Sequence, residues 1–152
     1  MVLSRGLLVL RQGRRIRFAM MKRAGFAVAS FVWVLTTPAA ALDLNSFRAQ
    51  HGRPALSVSS TLSALAYEQA HSMATRTRLD HAGFRARIAG MGGGMHAENV
   101  AFGCDTEDCA IKMWARSGGH RANMLRGDVA AYGIASATGA NGRRYWALEL
   151  GN

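Results

Sequence analysis

All nine acidic residues of this 152-residue chain lie after Leu42, whereas seven of its 19 basic residues lie before it. That asymmetry divides the chain into a leader and a domain. Before the divide, Met21-Lys22-Arg23 runs into the apolar stretch Ala24 to Leu35 and then into Thr36-Thr37-Pro38-Ala39-Ala40-Ala41. A basic start, an apolar middle and a small-residue end are the three parts of a secretory signal peptide. The apolar stretch is well short of the ~20 residues that span a bilayer. Residues 1–41 therefore read as a signal peptide cleaved after Ala41, with an uncleaved anchor as the alternative. Met20 or Met21 would each begin a complete signal, so translation is expected to start at one of them rather than at Met1.

Without the leader the charge argument changes. The whole chain carries +10. The part from Leu42 onward has 12 basic and nine acidic residues, or +3. Its basic residues are scattered, without a stripe or interleaved aromatics, so a nucleic-acid partner is not expected. After cleavage the protein is not an integral membrane protein. Residues 42–152 are long enough for one domain with a single core. The one biased segment is the loop Gly90-Met91-Gly92-Gly93-Gly94. Export places Cys104 and Cys109 in an oxidising compartment, where a pair is expected to be bridged.

The hydrophobic pattern gives a mixed α and β chain. Asp43 to His51 reads as a short helix stopped by Gly52 and Pro54. Ser59 or Ser60 can cap a longer helix reaching about Leu79, whose Leu62, Leu65, Ala66, Ala70 and Met73 follow the helical period. Phe84 to Ala89 adds a turn, and Ala97 to Phe102 an extended segment. Asp105 or Thr106 caps a third helix to about Arg116, ended by Gly118-Gly119, with another turn at His120 to Leu125. Two apolar runs, Ala130 to Thr138 and Arg144 to Leu150, flank Asn141-Gly142, a strong hairpin signal. Helices first and a hairpin last give an α+β layout.

Five segments now carry a resemblance. Leu44 to Leu56 resembles the opening helix of the CAP superfamily of cysteine-rich secretory proteins, antigen 5 and pathogenesis-related 1. Leu79-Asp80-His81 resembles that family's histidine before a loop. Ala97-Glu98-Asn99-Val100-Ala101 resembles its G-E-N-[VIL]-A motif, with Ala97 in place of Gly. Trp114 to Leu125 resembles the bacterial W-x-x-S-x-G-H-R-x-N signature, and Tyr145 to Gly151 the terminal strand. The resemblance implies a three-layer α-β-α sandwich around a central antiparallel sheet.

The resemblance also implies a cavity built from two histidines and two glutamates. The matching residues here are His81, Glu98 and His120, a candidate set of ligands for Zn2+ or another divalent metal. The second glutamate is missing, because Arg116 and Ser117 stand near its place. Glu107 and His96 fall on no motif position. The alternative is a structural polar cluster, since buried polar groups are usually networked. Ser117 near His120 suggests a nucleophile and base, but no acid is placed to orient the imidazole. Asn123 reads as a turn or capping group, and Trp114 and Trp146 as core.

Two functions are compatible with this pattern. One is an exported, periplasmic or extracellular binding module for a lipid, glycan, cell-envelope component or protein. The other is a metal-dependent hydrolase or peptidase. The missing glutamate, together with the lack of an H-E-x-x-H motif and of a triad, favours the binding module, and no catalytic residue is assigned.

Overall fold

The computed structural model describes residues 41–152. The leader, apart from Ala41, and the candidate start sites lie outside the described residues. Nine elements follow in order: α1 (Leu44–Gln50), β1 (Ser57–Val58), α2 (Ser60–Arg76), α3 (Phe84–Ile88), β2 (Ala97–Phe102), α4 (Glu107–Ala115), α5 (Gly118–Met124), β3 (Ala131–Thr138) and β4 (Arg144–Gly151). The sheet order is β1-β3-β4-β2. The three long strands form the expected antiparallel sheet. Two residues of β1 add a parallel edge against β3, so the whole sheet is mixed.

Alternation along the strands builds the sandwich. Tyr145 and Ala147 of β4 join Val100, Ala135 and Ala137 under α2, against Ala66, Ala70, Met73 and Ala74. The intervening Trp146, Leu148 and Leu150 point to the opposite face, where Leu44 and Phe47 of α1, Ile111 and Trp114 of α4 and Met124 of α5 cover them. A strand buried on both faces loses the polar alternation of a one-sided sheet, and Tyr145 to Gly151 is buried throughout.

The helices start where side-chain oxygens meet free backbone N–H groups. Asp43, Ser59 and Thr106 accept from Ser46, Leu62 and Cys109 respectively. Helix α2 stops before the expected Leu79, because Thr77 takes a left-handed conformation (φ 49°) and the Arg78 N–H returns to the Met73 carbonyl. The sequence gives no warning, since no glycine marks the turn. Gly118 and Gly119 open α5 rather than closing α4. Cys104 and Cys109 form the expected disulfide, with Cα atoms 5.5 Å apart. Fully buried Arg48 of α1 donates to the carbonyls of Pro54, Met124 and Arg126, tying α1 to the end of α5.

The sheet approaches α2 most closely at Gly133 of β3. A methyl group there would overlap the backbone of Leu62 and Ser63, which no side-chain rotation relieves. Gly133→Ala should therefore cost about 3 kcal/mol, the upper end for overpacking, or prevent folding. Urea unfolding measures this, and a loss below about 0.5 kcal/mol, the range of a neutral surface change, would contradict the close packing.

Candidate functional site

Strand β2 is an outer strand, and its alternation sends Glu98 and Val100 to the α2 face and Asn99 and Ala101 to the other. Each face receives a different polar group. Asn99 donates to the carbonyl of His120 at 2.9 Å and accepts from Asn123 Nδ2 at 2.9 Å. Asn123 also reaches the Glu98 carbonyl at 3.3 Å. These bonds fasten α5 to β2, so Asn123 is an interelement tie rather than a turn or cap. The indole of Trp114 donates to the Val100 carbonyl and that of Trp146 to the Cys104 carbonyl, so both tryptophans are satisfied core residues.

On the other face, Glu98 is almost wholly enclosed, its side chain 1% exposed. Its Oε1 lies 2.6 Å from His81 Nδ1, and its Oε2 accepts from Arg87 Nη2. His81 itself is 53% exposed. It follows Asp80, whose carboxylate takes a two-pronged bond from Arg76 at 2.7 and 2.9 Å and whose carbonyl accepts from buried Gln69. The Arg76 guanidinium holds the Asp80 carboxyl well below the usual carboxylate range. This latch fixes the segment that carries His81.

Cross-strand pairing sets Glu149 of β4 directly opposite Glu98. Glu149 is also 1% exposed, with Arg87 Nε 3.7 Å from its Oε1. Burial, and then the neighbouring Glu98, push its carboxyl up to about 9. Glu149 is therefore protonated at neutral pH, and Arg87 pairs chiefly with Glu98. The second glutamate beside Glu98 thus comes from β4, not from the Arg116–Ser117 region.

The structure brings two of the three expected ligands, His81 and Glu98, into direct contact. Burial, and then the nearby His81, lower the pKa of the His120 imidazole below its ordinary value. A divalent ion does not fit this arrangement. Both Glu98 oxygens already serve other groups, and a metal on Glu98 would have to displace a guanidinium. Among the described residues, no three His, Cys, Asp or Glu side chains form a metal-holding group. Neither Glu107 nor His96 joins the cluster: Glu107 lies near Asp43 and Tyr132, and the His96 ring packs over Gly151. No hydrogen bond links Ser117 to His120 among the described residues, and the Ser117 side chain does not cap α5.

His120 and Ser117 instead line a cleft of about 360 Å³ along β2. Its other walls are Leu79, Val100, Ala101, Phe102, Met113 and Trp114. Arg87 and Glu149, absent from the sequence-level site, complete the polar cluster. The signal for Glu149 was present: it shares strand parity with core-facing Tyr145 and Ala147. Nothing local singles out Arg87 from the neighbouring Arg85.

The helices, the sheet and this His–Glu cluster define a CAP-type sandwich. The chain belongs to the cysteine-rich secretory protein (CAP) family, whose model matches residues 43–150. It is similar in structure to an outer surface protein from Borrelia burgdorferi, with a TM-score of 0.64 and 17% identity over 72% of this chain and 86% of that one. It is also similar to an extracellular protein containing a SCP domain from Bacillus anthracis (TM-score 0.60, 20% identity, 70% of this chain, 37% of that one). A cysteine-rich secretory protein from Staphylococcus aureus gives a TM-score of 0.58 and 18% identity over 71% of this chain and 35% of that one. The chain therefore spans little more than a third of the latter two. No curated protein matches the sequence.

Glu149 makes stability depend on pH. An unfolded glutamate loses its proton near 4.5 and the folded Glu149 near 9. Between those values the native state holds one more proton than the unfolded chain, so stability falls as pH rises. Relative to Glu149→Gln, the wild type should lose on the order of 2–3 kcal/mol between pH 5 and 7, at ~1.4 kcal/mol per pH unit. Urea titrations at both pH values measure the difference, and parallel curves would contradict a buried, protonated Glu149.

Proposed function

We propose that this chain is an exported binding module whose ligand is lipid-like, with its apolar part in the cleft along β2 and its polar end at His120 and Ser117. The observation that carries this reading is the clustering of apolar side chains that remain exposed. Leu79, Phe102 and Met113 are three of the six large exposed hydrophobic residues among the described residues, and all three line this cleft. Exposed apolar surface gathered around a concavity marks an interaction site more often than scattered residues do. A neutral His120 can donate or accept a hydrogen bond there. A cell-envelope component with an acyl or similar group has the required chemistry; a nucleic acid does not.

Export is supported by the leader, by the Cys104–Cys109 disulfide and by the similarity to an outer surface protein, an extracellular protein and a cysteine-rich secretory protein. Cleavage after Ala41 has support of its own. The Leu42 nitrogen lies 2.8 Å from Asp108 Oδ1, so the new terminal ammonium would meet a carboxylate. Among the described residues no helix is long and apolar enough to cross a membrane. A hydrolase needs an activated nucleophile or a metal-bound water, and neither Ser117 nor Glu98 has the surroundings for either role.

The test is titration of the exported protein with a fluorescent fatty acid, after mass spectrometry has placed its N-terminus at Leu42. Met113→Asp and Phe102→Asp should each weaken binding at least tenfold, about 1.4 kcal/mol. Val58→Asp, at an exposed position outside the cleft, should leave binding unchanged. No uptake by the wild type, or equal uptake by all variants, would overturn the reading.

A further inference from the structure

The cleft along β2 lies over a free sheet edge, because β2 is an outer strand. In an antiparallel ladder, residues that bond across the pair alternate with residues that do not. The Gly103 N–H donates to the Arg144 carbonyl at 2.9 Å, which sets that alternation. Ala97, Asn99 and Ala101 therefore bond to β4, while Glu98, Val100 and Phe102 turn their N–H and carbonyl groups to the edge. Val100 and Phe102 line the cleft.

The edge is covered unevenly. Two of its carbonyls have side-chain donors: the Trp114 indole reaches Val100 at 3.0 Å and Asn123 Nδ2 reaches Glu98 at 3.3 Å. The Val100 N–H has no such partner. Among the described residues it donates to no side chain and to no backbone group outside the sheet. Val100 is only 5% exposed, and a buried N–H left unpaired is costly. An added peptide strand needs the N–H and the carbonyl of each outward residue. With two carbonyls already taken, the edge is closed to strand addition and open to an acceptor.

Two further donors stand in the same wall. The Ser117 N–H returns to the Trp114 carbonyl at 3.1 Å, and Asn99 holds the His120 carbonyl at 2.9 Å, so both residues are fixed beside the Val100 edge. The Ser117 hydroxyl and the His120 ring can each donate. No acidic side chain lines the cleft. A carboxylate only accepts hydrogen bonds, and its charge makes them about twice as strong as neutral ones.

We propose that the Val100 N–H is the headgroup site of this cleft and that the ligand is a long-chain carboxylic acid bound as its carboxylate. The proposal rests on the lipid-like reading of the cleft and narrows it: an alcohol or an amine with the same chain is a poor ligand.

Calorimetric titration of the exported protein with dodecanoate, dodecanol and dodecylammonium tests this. Dodecanoate should bind about tenfold more tightly than either of the others. Replacing Val100 by its α-hydroxy acid puts an ester oxygen where the N–H stands and removes no bond to β4; it should abolish the preference while dodecanol binds as before. Should that chain fail to fold, the wild-type Val100 amide proton gives the readout by NMR, moving downfield when dodecanoate binds. Equal affinities for the three, with Met113→Asp weakening all of them, would overturn the carboxylate site and leave the lipid-like reading standing. An unmoved Val100 resonance at saturating dodecanoate, or a preference that survives the ester, would overturn it in the same way. No binding of any of the three would overturn both.

Discussion

The double burial of β4 is the constraint on which the rest depends. This strand hydrogen-bonds to β2 on one side and β3 on the other, and feeds alternate residues into two separate cores. Trp146, Leu148 and Leu150 require α1, α4 and α5 as a cover; Tyr145 and Ala147 require α2. An acid at the next position on the α2 face, Glu149, breaks that apolar pattern. Its cost is met by proximity to Arg87 and by retention of its proton, not by a full set of hydrogen bonds. The polar cluster around Glu98 is therefore inseparable from the central strand.

Seen this way, the motif residues divide their work between two faces of β2. Asn99 and Asn123 fasten α5, the helix that carries His120, whereas Glu98 collects His81 from the α2–α3 segment and Arg87 from α3. The cleft along β2 has His120, but not His81, in its wall. A polar arrangement that resembles a metal centre in composition acts here as a clamp holding three segments to one strand. The cleft along β2 lies beside the clamp and shares His120 with it, since Asn99 holds the His120 carbonyl and the His120 side chain lines the cleft.

Much of the fold was legible in the sequence because it rests on local chemistry. Asp43, Ser59 and Thr106 act as caps as their residue types suggest. The Asn141-Gly142 hairpin joins β3 to β4, with Gly142 at φ +73°. The end of α2 was not legible, because Thr77 adopts a left-handed conformation that its side chain does not advertise. The contact between His81 and Glu98 followed from motif order. Arg87 did not, because its role arises from the placement of a five-residue helix, and although strand parity gave the face of Glu149, its position opposite Glu98 depends on the strand register. Buried Arg48 was missed for a similar reason: its carbonyl partners include Met124 and Arg126, more than seventy residues away.

The central claim is that Arg87, not a metal, occupies the Glu98 site in the wild-type protein. The most direct measurement is a crystal structure of the wild type soaked in zinc, with anomalous scattering recorded at the zinc edge. The account predicts the Arg87 guanidinium on Glu98 and no zinc peak at bonding distance, about 2.0–2.2 Å, from either Glu98 oxygen. A zinc peak bonded to Glu98, with Arg87 displaced, would contradict it.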